Sequence, residues 1–350
     1  MSGSRGASCD VRAISRRAVL GRLGAGALAA TLAPNLIVAG GGEKPVVVGG
    51  GDHAYEVVRG WGKLPDGVEY GNTHGVQVDS QGLVLVHNTS KDSVCIFDPD
   101  GKFIKSWGEA YADGAHGFQL VREGKDEFLY LALTGQHIVV KTTLDGDVVW
   151  KLDFPRECDA YEGKPDRYVP TNIAIAPKGD FYIADGYGLS WVHQYDRNAK
   201  YIRSWGGAGK EPGKMNCPHG IWVDTRGPTP EVVVADRSNV RLQYFSLDGK
   251  HLRFVVDELR HPCHFDQRGG ELLIPDLHGR VTIFNKENRL VTHLGDNADP
   301  SRRGRNDLPP EQWVEGQFVA PHAACWDRDG NIYVAEWVRV GRVTKLRKVG

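Results

Sequence analysis

The feature that most constrains the fold of this chain is a segment that recurs six times between residues 74 and 330. Each copy starts a short apolar strand, reaches a turn glycine and continues into a second β-rich run. The opening residues are His74, His116, Thr171, His219, His261 and His322. A third strand and a turn to a fourth follow, as in VCIFDPDGKFIKSWG. Four short strands per repeat are typical of propeller blades, so the sequence predicts an all-β, six-bladed β-propeller.

The last repeat stops at its third strand, in residues 343–348. Residues 55–61, far upstream, have the pattern of a fourth strand and end in Trp61-Gly62, as other fourth strands end in Trp107-Gly108 and Trp205-Gly206. We expect this N-terminal strand to pair with the last blade and close the ring, because an unpaired strand edge would otherwise be exposed. The alternative is an open solenoid of six units.

The N-terminal residues have the pattern of a targeting segment. Arg16 and Arg17 precede a weakly apolar, Gly/Ala-rich run that ends near Ala30, which is the pattern of a twin-arginine signal peptide. We therefore assign residues 1–40 to the signal and 41–350 to a single propeller domain, exported to the periplasm or the cell exterior. A membrane anchor is the alternative, but the run is short and glycine-rich, so we expect no stable anchor.

Charge and cysteine content narrow the classes further. The net charge of −1 and the pI near 6.9 do not indicate a basic surface that would bind nucleic acid. We expect a monomer with a small-molecule or peptide-like substrate. Five cysteines follow the signal, and none forms a C-x-x-C pair, which argues against a thiolate zinc site. In an oxidising compartment two disulfides at most can form, and Cys158 with Cys217 is the pair to be tested.

Histidine fills five of the six opening positions, although the chain has only 13 histidines in 350 residues. The first strand of each blade lines the propeller axis. Residues at the same position of each first strand are therefore predicted to form one ring of side chains around the channel. The structural interpretation is that these histidines form a polar rim and donate hydrogen bonds to carbonyls at the strand ends. The functional interpretation is a metal site, since neutral imidazoles are preferred ligands for zinc, copper and iron.

The spacing of the blades suggests which histidines would bind the ion. Alternate blades lie about 120° apart around a six-bladed ring, so His116, His219 and His322 can form a trigonal set. Three ligands with an open position describe a catalytic zinc. His74 and His261 lie on neighbouring blades and are candidates for cofactor or substrate binding, or for additional ligands.

The stretch from 170 to 245 contains PTNIAI, FYIADGY, WGGAGKEPGKMNCPHG and ADRSNVRLQYF in that order. It resembles an NHL-type propeller repeat and, within that group, peptidyl-α-hydroxyglycine α-amidating lyase. The resemblance implies a six-bladed propeller with a three-histidine zinc on its axis, which cleaves a carbinolamide into an amide and an aldehyde. The zinc ligands of the lyase fall on His116, His219 and His322, its active-site tyrosine on Tyr187 and one of its arginines on Arg237.

Several positions depart from the lyase pattern. Asn88 stands where the lyase has an arginine, Ala323 where it has an acid after the last zinc histidine, and Ala320 where it has a methionine. The lost acid argues against the calcium ion of that family. His74 and His261 add imidazoles that the lyase lacks. The metal ligands therefore look retained, whereas the residues around the substrate differ.

These observations favour an exported metal-dependent lyase or hydrolase that acts on a small polar substrate, with zinc as the expected ion. Tyr187 would be a general acid/base and Arg237 an anion or carbonyl clamp. The structural alternatives are that Tyr187 caps its blade and that Arg237 pairs with a neighbouring carboxylate. Two other functions stay open: a non-catalytic propeller that binds a ligand or protein, and an iron or copper enzyme that uses four or five axial histidines.

Overall fold

The computed structural model describes residues 44–350, so the twin-arginine segment lies outside the described residues. Within this range the chain forms six antiparallel sheets; five are made of strands that follow one another along the chain, and the sixth combines strands from both ends of this range. This is the six-bladed propeller that the repeat predicts. Short 3-10 turns connect some strands, at Glu109–Tyr111, Asp159–Tyr161, Pro165–Arg167, Arg237–Asn239, Pro300–Arg302 and Pro310–Gln312.

Five blades have four strands each. Blade one contains β3 (Thr73–Val78), β4 (Val84–Asn88), β5 (Val94–Phe97) and β6 (Phe103–Trp107), and blade two contains β7 (Ala115–Glu123), β8 (Asp126–Leu133), β9 (Ile138–Thr143) and β10 (Val148–Leu152). Blade three contains β11 (Asn172–Ile175), β12 (Phe181–Asp185), β13 (Trp191–Tyr195) and β14 (Tyr201–Gly206). Blade four contains β15 (Pro218–Asp224), β16 (Glu231–Asp236), β17 (Arg241–Phe245) and β18 (His251–Val255). Blade five contains β19 (Asp266–Arg268), β20 (Glu271–Asp276), β21 (Arg280–Phe284) and β22 (Leu290–Leu294).

Blade six joins the two ends of the domain, as predicted. Its inner strands are β23 (Pro321–Trp326), β24 (Ile332–Glu336) and β25 (Arg342–Lys348), and the N-terminal strand β2 (His53–Val58) pairs antiparallel with β25. A further strand, β1 (Val47–Gly50), pairs with β2 and makes this sheet five-stranded. Trp61 follows β2 and packs on Phe97 of blade one and Tyr333 of blade six. The closure therefore hides both a strand edge and a large aromatic ring.

The core lies between neighbouring blades, because each sheet buries both faces against the next. One cluster joins blades two and three through Tyr130, Phe181 and Tyr195, among others, and another joins blades four and five through Tyr244 and Phe265. Tight turns link the strands: Gly101, for example, has φ +88 at a turn where its α-carbon faces Trp61, a conformation that favours glycine. This packing fixes the inner strands around the axis.

Two further observations bear on the sequence predictions. No helix in residues 44–350 is long and apolar enough to cross a membrane. Cys158 is a buried free thiol, so the pairing of Cys158 with Cys217 is not formed.

Candidate active site at the propeller axis

A local irregularity in the first strand of four blades brings histidines to the axis. The pairing between the first and second strands shifts between Thr73 and Gly75 in blade one, and equivalent shifts occur in blades two, four and six. His74, His116, His219 and His322 each lie within such a shift. Because a bulge leaves one residue unpaired and changes the direction of its side chain, all four imidazoles leave the ladder and turn towards the channel.

Blades three and five lack a histidine within such a shift, and in blade five the predicted phase is wrong. In blade five Pro262 opposes Asp276, the position that Pro218 occupies opposite Asp236 in blade four. Cys263, and not His261, therefore holds the position equivalent to His219. The ring of His261 stacks on His278 instead, with centroids 4.7 Å apart.

In blade three the first two strands pair without a shift. Thr171 precedes this strand, and its hydroxyl donates to the carbonyl of Pro218 at 2.9 Å. Blade three therefore contributes no imidazole at this level, because Thr171 stands at the predicted position. The polar residue predicted at this phase therefore has a structural contact between blades.

The four remaining imidazoles form one compact cluster, and all are buried. The rings of His116, His219 and His322 are mutually in contact, with centroids 4.6 to 4.8 Å apart. His74 adds contacts of 5.1 Å to His116 and 4.6 Å to His322. The ligand-capable nitrogens of His74, His116 and His322 lie within 4.8 Å of one another. His219 is not a member of that group of nitrogens and joins the cluster through ring contacts with His116 and His322. The structure thus brings together the rings of the predicted triad and of His74, but the nitrogens that converge within 4.8 Å are not those of the predicted triad.

A backbone carbonyl fixes the orientation of each imidazole. Nδ1 of His116 donates to the carbonyl of Thr171 at 2.7 Å, and Nδ1 of His219 donates to that of Cys263 at 2.9 Å. Nδ1 of His322 donates to the carbonyl of His74 at 2.8 Å. Each acceptor lies in the following blade, so the contact repeats with threefold spacing. A proton on Nδ1 leaves the Nε2 lone pair as the ligand, which is the usual arrangement of a metal-binding histidine.

Two glycines make this approach between blades possible. A Cβ added at Gly117 would lie 2.5 Å from the carbonyl oxygen of Thr171, the acceptor for His116. A Cβ at Gly220 would clash with the carbonyl oxygen of Cys263, the acceptor for His219. The His-Gly dipeptide therefore combines a ligand with the space that its supporting carbonyl needs. The sequence shows these glycines, but only the structure shows their role.

The hydroxyl of Tyr187 lies 3.1 Å from Nε2 of His116 and 3.1 Å from Nε2 of His219. With both Nδ1 atoms protonated, both Nε2 atoms are acceptors, and one phenol proton can serve only one of them. Nε2 of His322 is buried and has no hydrogen-bond partner among the described residues. Unshared lone pairs that converge in a buried site fit a cation, so the residues present suit a divalent metal ion.

Arg237 lies beside this cluster and is also buried. Its guanidinium is within 3.4 Å of the Tyr187 hydroxyl and 3.3 Å of the Cys217 sulfur. No carboxylate of residues 44–350 lies within salt-bridge distance of it, and its Nε has no hydrogen-bond partner there. The predicted alternative, a pairing of Arg237 with a neighbouring carboxylate, is therefore wrong. A buried guanidinium without a carboxylate is suited to bind an anionic group of a ligand.

Burial controls the protonation of the cluster. It lowers the pKa of His74 to about 4 and lowers the pKa values of His116, His219 and His322 well below the ordinary value. Burial raises the pKa of Tyr187 to about 12, against the opposing effect of Arg237. At neutral pH the imidazoles are therefore neutral and able to bind a metal, and the phenol holds its proton.

Sequence reasoning missed the thiols near this arginine. Nη1 of Arg237 lies 4.0 Å from the Cys263 sulfur, which is buried, as is Cys217. The positions that depart from the lyase are also buried. Asn88 accepts the backbone N–H groups of Gly71 and Ser90, so it stabilises a loop. The equivalence of Cys263 to the histidines could not be read from the sequence, because the count from the turn glycine pointed to His261.

Comparison with known proteins agrees with the resemblance. No family model matches the chain. A peptidyl-α-hydroxyglycine α-amidating lyase of Drosophila melanogaster is 28% identical over 262 residues, which cover 67% of this chain and 45% of that protein. A peptidyl-glycine α-amidating monooxygenase of Xenopus laevis is 30% identical over 178 residues, or 49% of this chain and 18% of that protein. The chain thus spans less than half the length of the curated relatives that it matches.

Solved structures confirm the fold alone. A gluconolactonase from Xanthomonas campestris aligns with a TM-score of 0.59 at 12% identity, over 91% of this chain and 99% of that chain. A virginiamycin B lyase from Staphylococcus aureus aligns with a TM-score of 0.57 at 14% identity, over 82% and 98% of the two chains. Fold and site together define a six-bladed β-propeller with a buried histidine cluster on its axis. Its sequence is similar to that of the amidating lyase.

Proposed function

We propose that this protein is a metal-dependent lyase or hydrolase acting on a small polar substrate that carries an anionic group. The single observation that carries the proposal is the convergence of buried imidazole lone pairs beside Tyr187 and Arg237. Metal binding by His116, His219 and His322 would explain why each Nδ1 is fixed by a carbonyl, while the Nε2 atoms of His116 and His219 share one phenol and that of His322 has no partner among the described residues. Zinc is the ion we expect, with iron and copper as the alternatives.

A divalent ion at this site would supply Lewis-acid polarisation of a substrate oxygen. The other roles fall to the residues of this chain. The phenol of Tyr187, within hydrogen-bond reach of two imidazoles, can give a proton to a leaving group or take one from a hydroxyl. Arg237 would bind a substrate carboxylate and hold the reacting bond against the phenol. Burial excludes water and strengthens both contacts.

The relative named above suggests a concrete substrate class, the N-acyl-α-hydroxyglycines. Their cleavage breaks the bond between the amide nitrogen and the hydroxyl-bearing carbon. The hydroxyl loses its proton as the aldehyde forms, and the amide nitrogen gains one. A group that accepts and donates a proton, such as Tyr187, and a cation that holds the carboxylate, such as Arg237, match these requirements. We retain His261 as a candidate for substrate binding, with its ring stacked on that of His278.

The test is turnover of α-hydroxyhippurate, with an aldonolactone as the hydrolase probe, by protein that has been stripped of metal and reloaded. We expect release of glyoxylate or opening of the lactone that disappears on chelation and returns with zinc. Arg237→Gln should raise KM for the carboxylate substrate more than for the uncharged lactone. Absence of turnover of both probes by metal-loaded, folded protein would contradict the proposal and favour a non-catalytic binding propeller.

We also propose that the protein is exported, on the basis of the twin arginine near the N-terminus. Replacing Arg16 and Arg17 by lysine should hold the precursor in the cytoplasm, as fractionation of expressing cells would show. Unchanged export of this variant would contradict the assignment of residues 1–40.

A further inference from the structure

We propose that His74 is a fourth imidazole ligand, so that this chain binds its ion with four histidines and not with the three of the predicted triad. This inference rests on the proposed metal site. It concerns a residue that the resemblance does not supply with a role, and it changes what the centre can do.

The group of converging nitrogens includes His74, whereas His219 adjoins this group by ring contacts of 4.6 Å to His116 and 4.8 Å to His322. Its ring lies 4.6 Å from that of His322 and 5.1 Å from that of His116. The ligand-capable nitrogens of these three residues lie within 4.8 Å of one another. Two nitrogens bound to one zinc at about 2.0–2.1 Å each are at most about 4.2 Å apart. Small side-chain rotations therefore suffice for His74 to share an ion with its neighbours.

The hydrogen bonds of His74 also match those of a ligand. Its Nδ1 lies 3.1 Å from the carbonyl oxygen of Asn72, which places the proton on Nδ1 and the lone pair on Nε2. No residue in the described part of the chain forms a hydrogen bond with this Nε2. A histidine kept only for packing would be expected to use both nitrogens or to lie among apolar side chains. His74 instead contacts two other imidazoles.

The backbone of His74 already takes part in the site. Its carbonyl oxygen accepts Nδ1–H of His322 at 2.8 Å. This contact uses the main chain, so a substitution of the His74 side chain leaves the support of His322 in place. The side-chain effect can therefore be measured separately from the structural one.

A fourth imidazole has a chemical consequence. Three protein ligands leave a position open for substrate, whereas four nitrogens complete a tetrahedral site. With His74 bound, an incoming ligand has to expand the coordination or displace one imidazole. His74 would then limit the access of small anions to the ion, and its removal should open the centre.

The experiment uses the full chain loaded with Co²⁺, whose visible spectrum reports coordination, and X-ray absorption to count the bound imidazoles. His74→Gln keeps the side chain polar and of similar size, and His74→Ala provides a second variant should the first fold poorly. His264→Gln is the matched control, because His264 is a buried histidine that, among residues 44–350, forms no hydrogen bond or ring contact with the cluster. Circular dichroism checks the fold of each variant.

We expect about four imidazoles in the wild type and the control, and about three in both His74 variants. Added azide should shift the cobalt spectrum of the His74 variants strongly and that of the wild type little. Three imidazoles in the wild type, with no change on substitution, would overturn the role of His74 while leaving the metal site intact. Failure of the wild type to bind cobalt would overturn the metal site itself, and this inference with it.

Discussion

At the scale of single residues, the site is defined by what each buried polar atom contacts. The imidazoles of His116, His219 and His322 each donate through Nδ1 to a backbone carbonyl, which leaves the Nε2 lone pair for another partner. The Tyr187 hydroxyl lies within hydrogen-bond distance of Nε2 of His116 and His219, and Arg237 contacts the same hydroxyl. Each side chain thus has one contact that fixes it and one face left for a ligand. In the imidazoles, Nδ1 therefore fixes the ring and Nε2 is left to bind a ligand.

Substitution of Tyr187 by phenylalanine tests the role of the phenol. The ring and its contact with Arg237 are retained, whereas the proton donor is lost, so kcat should fall by about 10²–10⁴-fold with metal content unchanged. Tyr168→Phe is a suitable control, because the Tyr168 hydroxyl is buried and has no hydrogen-bond partner among the described residues. Steady-state kinetics beside metal analysis distinguishes the outcomes. Loss of metal in Tyr187→Phe with intact turnover per bound ion would assign Tyr187 to structure.

At the scale of secondary-structure elements, the site depends on how closely the first strands approach one another. Gly117 allows the carbonyl of Thr171 to reach His116. Gly117→Ala should push this carbonyl away, destabilise the protein by about 1–3 kcal/mol and weaken metal binding. Gly270→Ala is the matched control, since a Cβ there meets no atom within 4 Å. Denaturant unfolding and metal titration measure the two effects. Full metal affinity in Gly117→Ala would show that the carbonyl contact is dispensable.

The elements also show how far the sequence could be read. The strand pattern and the turn glycines predict six blades, and the Trp61 signature predicts the closing strand, because period-two patterns and turns are local. The bulges are not local signals, since they depend on pairing with the second strand. Counting from Gly269 therefore pointed to His261, while the register of Pro262 with Asp276 places Cys263 at that position. The outer strand β1 lacked any repeat signature and was not predicted.

At the scale of the whole molecule, burial of many histidines makes stability depend on pH. Burial lowers the pKa values of His87 and His193 to about 3 and of His74 and His264 to about 4. The unfolded chain, with an ordinary histidine pKa of about 6.5, binds more protons than the folded chain below that pH. The stability of the metal-free protein is therefore full above about pH 6.5 and falls as the pH decreases towards 4.

Thermal unfolding of metal-free protein between pH 8 and 4 checks this prediction. We expect a nearly constant Tm above about pH 7 and a progressive fall below it. Bound zinc should raise Tm at neutral pH and steepen the fall, because protonation of the imidazoles releases the ion. A Tm that is flat from pH 7 to 5 would show that these histidines are not held neutral by burial.

The proposal as a whole depends on whether the axis holds a metal ion. The most direct measurement is elemental analysis by mass spectrometry of the full chain purified without chelators, beside a variant in which His116, His219 and His322 are all alanine. We predict about one zinc ion per wild-type chain and none in the variant. Folded wild-type protein that contains no metal, or that binds as much as the variant, would contradict a metal centre on the axis of this propeller.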